Sequence, residues 1–122
     1  IVDTGTSLLA FPSTIYRQIA DSVRNLGIPL DCSNLDPFPE LEFTVNGQKL
    51  RFPPSTYLGS YYGQMNKEAS GFIRTEKLGG AEHKMPCELL IMDLGAPQMT
   101  TLGPMVILGM PFFREYYTTF DL

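Results

Sequence analysis

The segment Asp3–Ser7 holds the residues with the clearest chemical potential, one carboxyl group followed by a glycine and three hydroxyl side chains. Glycine lets the backbone approach a carboxylate closely, and an amide that donates to the carboxylate favours its charged form. Such a carboxyl group can take up or deliver a proton as a general base or acid. The alternative is a structural turn in which the Asp3 side chain caps local amides.

Other catalytic patterns are missing from the sequence. Ser7 does not lie in a G-x-S-x-G sequence, so it lacks the context of an activated nucleophile. His83 is the single histidine, and its charged loop neighbours favour a solvated side chain without a catalytic partner. The sequence also lacks an H-E-x-x-H motif and a phosphate-binding loop. Methionines are interpreted as core or loop residues rather than metal ligands.

The two cysteines, Cys32 and Cys87, lie far apart in the sequence and have no histidine or second cysteine pair beside them. This spacing argues against a zinc site. Two interpretations stay open, two unrelated buried thiols or one disulfide made in an oxidising compartment. A bridge closing a loop of this length would stabilise the fold by about 4 kcal/mol on the chain-entropy model.

The composition indicates one packed domain, with 122 residues of which 43% are hydrophobic. The net charge is -4 and the basic residues are scattered, which excludes an obvious nucleic-acid surface. No apolar run approaches the roughly 18 residues that a membrane span needs. Ile1 and Val2 are typical of the middle of a strand, so we expect the chain to be cut from a longer protein.

The elements that position the Asp3 turn follow from periodicity. A helix is predicted from an N-cap at Ser13 to about Leu26, ended by Gly27 and Pro29. The range Leu41–Phe52 alternates between apolar and polar residues around Asn46-Gly47 and predicts a hairpin with a type I′ turn.

The second half of the chain predicts short strands. A strand resumes near Tyr57-Leu58, and the range Gly59–Pro86 is predicted as loops around a strand at Phe72-Ile73. Further predicted elements are strands at Cys87–Met92, Met105–Leu108 and Tyr116–Phe120 and a helical turn at Phe112–Glu115. The fold class predicted is all-β, mainly antiparallel, with one or two short helices.

Several segments together resemble the pepsin-like, two-lobe eukaryotic aspartic proteases. The sequence D-T-G-T at Asp3–Thr6 matches the turn that each lobe of that family carries, and Val106–Gly109 matches its hydrophobic-hydrophobic-Gly segment. The hairpin Phe43–Gly47 with its following Pro-Pro-Ser, the tail Phe113–Asp121 and the two cysteines also match in order. The chain is similar to the carboxyl-terminal lobe, and we expect residues 1–122 to form that single lobe, truncated.

The resemblance implies roles for individual residues. Asp3 would be one of two catalytic aspartates, supported by Thr4, Gly5, Thr6 and Ser7, with the Thr6 hydroxyl bonded to the carboxylate and the Thr4 hydroxyl bonded to the twin turn. No metal or other cofactor is implied.

Two further sets of residues acquire expected roles from the same resemblance. Ile1 and Ile107 would lie near the substrate cleft, although a role as plain core-strand residues is an equal alternative. Cys32 and Cys87 would form a structural disulfide.

The expected activity is that of an aspartic endopeptidase made as a zymogen in the secretory pathway, for an extracellular or acidic, lysosome-like or vacuole-like compartment. Its expected partners are the amino-terminal lobe, polypeptide substrates and pepstatin-type inhibitors. This chain has only one aspartate turn, so we expect it to be inactive alone. Alternatives are a pepsin-fold protein that binds peptides without cleaving them and a homodimeric single-lobe protease. Met110 departs from the Asp that many members carry there.

Overall fold

The computed structural model describes residues 1–60 and 87–121 of the chain. The strands of this part, in chain order, are β1 (Leu9–Phe11), β2 (Leu41–Val45), β3 (Gln48–Phe52), β4 (Leu58–Gly59), β5 (Glu88–Leu89), β6 (Ile91–Asp93), β7 (Met99–Thr100), β8 (Gly103–Pro104) and β9 (Ile107–Leu108). Its helices are α1 (Ser13–Asn25), α2 (Pro54–Tyr57) and α3 (Met110–Glu115). The predicted strand at Phe72-Ile73 and His83 lie outside the described residues.

Most strand pairs are antiparallel, as the sequence predicts. The pairs β2–β3, β4–β5, β7–β8 and β1–β9 are antiparallel, whereas β1 and β6 are parallel. The described part has three helices rather than the one or two predicted, because Pro53-Pro54 starts the extra turn α2 instead of only interrupting a strand.

A three-stranded sheet in the order β6-β1-β9 lies at the centre of the described part. Strand β1 is buried on both faces, since Leu9 and Ala10 are 0% exposed and Phe11 is 2% exposed. Its continuous apolar sequence is typical of such a strand. The segment that contains Asp3 leads directly into β1, so this sheet is the support of the candidate site.

Helix α1 covers one side of this sheet and buries Ile19 and Val23. The predicted end is confirmed, because Gly27 takes a φ of +64° and its N–H donates to the carbonyl oxygen of Arg24 at 3.0 Å. A left-handed residue of this kind closes the last helical turn at low steric cost when it is glycine.

The predicted N-cap at Ser13 is wrong. Pro12 occupies the cap position and makes no side-chain cap bond, while Ser13 is the first helical residue. The Ser13 hydroxyl instead donates to Asp93 Oδ1 at 2.6 Å, and the Ser13 amide donates to the carbonyl oxygen of Gly95 at 2.9 Å. The Gly95 carbonyl thus satisfies one amide of the first helical turn, while the Ser13 hydroxyl is used to bind Asp93.

The hairpin of β2 and β3 confirms the Asn46-Gly47 prediction. Asn46 has a φ of 50° and Gly47 a φ of 77°, as a type I′ turn requires. Phe43 stacks on Phe11 with ring centroids 5.0 Å apart, so the hairpin packs its apolar face against the central sheet. Cross-strand pairs on the exposed face join Glu42 to Lys49 and Arg51.

The strand predicted near Tyr57-Leu58 is confirmed, since β4 begins at Leu58 after α2. The segment predicted as one strand at Cys87–Met92 divides into β5 and β6 around Leu90, whose N–H donates to the carbonyl oxygen of Tyr57 at 2.7 Å. The helical turn predicted at Phe112–Glu115 is confirmed and begins two residues earlier, at Met110.

The predicted last strand, Tyr116–Phe120, is wrong for the described residues. The chain is extended at Tyr116 (φ -119°, ψ 129°) but makes no ladder with another described strand. The Tyr117 side chain is 100% exposed and Phe120 is 57% exposed. Residues with high strand propensity form a strand only where a neighbouring edge pairs with them.

Aromatic side chains form the core where the hairpin, α2 and α3 meet. Phe52 is 1% exposed and contacts the rings of Phe112 and Tyr116 at centroid distances of 6.3 and 6.1 Å. The hydroxyl of the fully buried Tyr57 donates to the carbonyl oxygen of Pro39, and burial raises the pKa of Tyr57 to about 12. The hydrogen bond removes most of the penalty of burying this hydroxyl.

The disulfide between Cys32 and Cys87 is confirmed, with Cα atoms 5.4 Å apart. It joins the segment after α1 to the start of β5. Within the described ranges, no helix has the length and apolar character needed to cross a membrane.

Candidate active site

The Asp3 carboxylate is bound by two donors from its own turn. The Gly5 amide donates to Oδ1 at 2.8 Å, and the Thr6 hydroxyl donates to Oδ2 at 2.6 Å. A β-carbon on residue 5 would lie 3.2 Å from Asp3 Oδ1, which is tighter than ordinary contact. Glycine at position 5 therefore allows the amide to approach the carboxylate, as the sequence predicts.

These two donors hold the carboxyl group in its charged form. The Thr6 hydroxyl has the largest effect and the Gly5 amide the second, and together they lower the pKa of Asp3 below its ordinary value of 3.8. Slight desolvation acts in the opposite direction and is outweighed. Hydrogen bonds donated to a carboxylate favour ionisation because they are strongest for the charged acceptor.

The turn lies against the segment from Leu108 to Met110. The Asp3 amide donates to the carbonyl oxygen of Leu108 at 3.0 Å, and the Met110 amide donates to that of Thr6 at 2.8 Å. Val2 forms an isolated parallel bridge with Leu108. Backbone bonds on both sides thus fix the turn relative to β9 and α3.

Gly109 is the residue of this segment that lies closest against the turn and the start of β1. A β-carbon there would lie 2.3 Å from the carbonyl oxygen of Thr6 and 2.2 Å from that of Leu8, so only glycine fits. The sequence identified Gly109 only as part of a matching segment. Its steric role could not be read from the sequence, because that role depends on a contact between residues more than a hundred positions apart.

The remaining predicted site residues near Asp3 differ in how far they are exposed. Thr4 and Ser7 are exposed. Ile1 is 68% exposed, and its carbonyl oxygen accepts from the Leu108 amide at 2.8 Å. Ile107 is half-buried in β9, opposite Ala10. Ile107 therefore lies in β9 and Ile1 lies next to the isolated bridge of Val2, while their contact with substrate stays a prediction.

The arrangement can supply one ionised, partly exposed carboxylate on a rigid backbone. Such a group can accept a proton from a bound water molecule. Among residues 1–60 and 87–121, no group of three or more His, Cys, Asp or Glu side chains could hold a metal ion. At the end of the sheet where β1 begins, the candidate catalytic group is the Asp3 carboxylate with its two donors, Gly5 and Thr6.

Fold and site together define a mainly antiparallel β domain that presents an aspartate in a D-T-G-T turn. The whole chain, residues 1–122, matches the family described as Eukaryotic aspartyl protease. The chain belongs to this family.

Relatives agree with this assignment. The chain is 34% identical to Pepsin A of Gallus gallus over 99% of its own length and 27% of that protein. It is 32% identical to Vacuolar protease A of Arthroderma otae, over 100% of this chain and 25% of that protein. It is 30% identical to Plasmepsin VI of Plasmodium berghei, over 98% of this chain and 24% of that protein. The chain thus spans about a quarter of the length of the curated relatives it matches.

Proposed function

We propose that this chain is the carboxyl-terminal lobe of a pepsin-like aspartic endopeptidase and that Asp3 is one of its two catalytic aspartates. The observation that carries the proposal is the Asp3 carboxylate itself, which accepts from the Gly5 amide at 2.8 Å and from the Thr6 hydroxyl at 2.6 Å. Family membership supports peptide-bond hydrolysis in general, and the match to about a quarter of each relative supports a lobe of a larger enzyme.

The proposed chemistry needs a second carboxyl group from the amino-terminal lobe. Two close carboxyl groups do not both ionise easily, so the pair shares one proton and titrates as a unit. The charged member accepts a proton from a water molecule as that water attacks the substrate carbonyl, and the neutral member donates a proton to the departing amine. The donors at Gly5 and Thr6 keep the Asp3 carboxylate fixed during these transfers.

The surroundings of Asp3 support a polypeptide as the substrate. Ile1 and Ile107 flank the turn and would form part of the wall of a cleft for apolar side chains. The exposed Thr4 hydroxyl is available to bond the twin turn of the other lobe. Pepstatin-type inhibitors would bind in the same cleft.

We propose a secretory-pathway origin for the parent protein, as a zymogen destined for an extracellular or acidic vacuole-like compartment. The Cys32–Cys87 disulfide supports this origin, since such bonds form and persist in oxidising compartments. One relative is named Vacuolar protease A, which is compatible with an acidic destination.

The test is peptide hydrolysis by the full-length protein that carries this chain, assayed at about pH 3–6, where one member of such a pair is charged and the other neutral. Cleavage should be blocked by pepstatin, and Asp3→Asn should lower kcat by roughly 10²–10⁴-fold, the usual contribution of general acid–base catalysis. Asp21→Asn, on the exposed face of α1, is the matched control and should leave kcat unchanged.

Wild-type cleavage by the Asp3→Asn variant would overturn the catalytic role of Asp3. Peptide binding without cleavage by the wild-type protein would favour a non-catalytic member of the family. The chain alone, as a monomer, should not cleave peptides. Pepstatin-sensitive activity of a monomeric chain would contradict the need for a second lobe.

A further inference from the structure

Asp93, at the end of β6, is the centre of a second group of hydrogen bonds around a carboxylate. Its Oδ1 accepts from the Ser13 hydroxyl at 2.6 Å and from the Gly95 amide at 2.8 Å. Backbone bonds close the same junction, from the Ser13 amide to the carbonyl oxygen of Gly95 and from the Leu94 amide to that of Phe11, both at 2.9 Å. We call Asp93, Ser13 and Gly95 with their mutual bonds the Asp93 anchor.

The anchor fixes the end of β1 that is remote from the Asp3 turn. Phe11, the last residue of β1, lies opposite Asp93 in the parallel pairing with β6. The Leu8 carbonyl precedes the other end of the strand, about 10 Å away at the usual rise of a strand. The Asp93 anchor and the Asp3 turn therefore lie at the two ends of one short strand.

Strand β1 has no free space in which to shift. Leu9 and Ala10 are fully buried, and the strand is hydrogen-bonded on both sides. At its near end, the carbonyl oxygens of Thr6 and Leu8 lie against Gly109 with no room for a methyl group. Close-packed interiors transmit small displacements instead of absorbing them.

We propose that Asp93 is a positioning residue for the Asp3 turn. By holding the far end of β1, its carboxylate keeps Leu8 and Thr6 against Gly109, and this in turn keeps the Thr6 hydroxyl and the Gly5 amide on Asp3. The geometric part of this inference is independent of the proposed function. Its effect on peptide cleavage rests on the proposed function.

The charge state of the anchor supports this role. The Ser13 hydroxyl, the Gly95 amide and, to a smaller extent, the positive charge of Arg17 outweigh desolvation and lower the pKa of Asp93 below its ordinary value of 3.8. The lowered pKa favours the ionised form of the Asp93 side chain, and an ionised acceptor makes the stronger hydrogen bonds.

The test compares Asp93→Ala with Asp93→Asn in the full-length protein. Alanine removes both hydrogen bonds, whereas the asparagine amide oxygen can still accept both. The first readout is the apparent pKa of Asp3, followed by NMR of carboxyl-labelled aspartate and assigned from the resonance that is missing in Asp3→Asn. In the full-length protein this apparent pKa belongs to the pair of carboxyl groups, and we expect it to move up in Asp93→Ala and to return close to the wild-type value in Asp93→Asn.

The second readout is kinetic. Because misplacement of a catalytic group lowers the rate of the chemical step more than it weakens binding, Asp93→Ala should lower kcat by about tenfold with little change in KM, and Asp93→Asn should regain most of this loss. Asp21→Ala, an exposed aspartate of α1, should change neither readout.

An unchanged Asp3 pKa in folded Asp93→Ala protein would overturn the inference, as would equal defects in the alanine and asparagine variants. If Asp93→Ala does not fold, the Ser13→Ala variant tests the inference instead. It removes a single hydrogen bond of the Asp93 anchor and should shift the apparent pKa of Asp3 in the same direction by a smaller amount. If the wild-type protein cleaves no peptide, the proposed function fails, and the Asp3 pKa still tests the positioning role.

Discussion

Gly109 lies so close to Leu8 that a β-carbon on the glycine would be 2.2 Å from the Leu8 carbonyl oxygen. The same β-carbon would be 2.3 Å from the Thr6 carbonyl oxygen. Both neighbours are backbone atoms, which cannot rotate away as a side chain does. At Gly109 the segment after β9 therefore packs directly against main-chain atoms of Thr6 and Leu8, and a methyl group at this position would force the two segments apart.

Gly109→Ala should lower the free energy of unfolding by about 3 kcal/mol, the upper part of the usual range for overpacking. Gly59→Ala is the matched control, since its β-carbon would meet Leu90 Cδ1 at 2.8 Å, the end of a side chain that can move. Denaturant unfolding of both variants measures the difference. Equal losses would contradict the backbone contact at Gly109.

Thr6→Ala should raise the pKa of Asp3 towards 3.8, because it removes the hydroxyl with the largest effect on that carboxylate. A carboxyl group with a lowered pKa stabilises the folded state above its unfolded-state value, and this contribution is lost as the pH falls through the folded-state value. The wild type should thus be more stable than Thr6→Ala above pH 3.8, and the difference should shrink below it. Unfolding measured between neutral and strongly acidic pH checks this, with Thr44→Ala on the exposed hairpin as control. A pH-independent difference would contradict the mechanism.

Tyr116→Phe should lower the free energy of unfolding by about 1–2 kcal/mol, because two hydrogen bonds are lost. The Tyr116 hydroxyl donates to the carbonyl oxygen of Arg51 at 2.7 Å and accepts from the Arg51 amide at 2.8 Å, joining the end of α3 to the edge of β3. Tyr117→Phe alters the adjacent, fully exposed ring and should change stability by less than about 0.5 kcal/mol. Thermal or urea unfolding distinguishes the two, and similar values for both would refute the bridging role.

Replacing both Cys32 and Cys87 by alanine should lower the free energy of unfolding by about 4 kcal/mol, since the unfolded chain regains the entropy of an open loop. The measurement is urea unfolding without reductant. Wild-type protein unfolded with reductant should behave like the double variant. No effect of reductant on the wild type would show that the bridge does not form in solution.

Features of the chain that depend on local chemistry could be predicted from the sequence. Asn46-Gly47 specifies its turn because both residues must take a positive φ, and Gly27 ends α1 for the same reason. The bond from the Gly5 amide to the Asp3 carboxylate belongs to this class too, whereas the bond from the Thr6 hydroxyl is implied only by the family resemblance.

Features that depend on distant partners could not be predicted. Ser13 has the residue type of an N-cap, but Asp93, eighty positions later, accepts its hydroxyl. The stretch Tyr116–Phe120 has strand propensity, yet in the described residues no edge pairs with it. Position 109 requires glycine because the carbonyl oxygens of Thr6 and Leu8 leave no room for a β-carbon, and the periodicity of the sequence does not reveal this contact.

The Cys32–Cys87 bridge also determines what happens when the chain is cut. One break in the backbone anywhere between these two cysteines leaves two pieces that stay covalently joined, so the nicked protein migrates as one band until a thiol reagent separates it. The hairpin and α2 lie inside this bridged stretch. A processed form could therefore go unnoticed on a non-reducing gel while differing from the intact chain by one peptide bond.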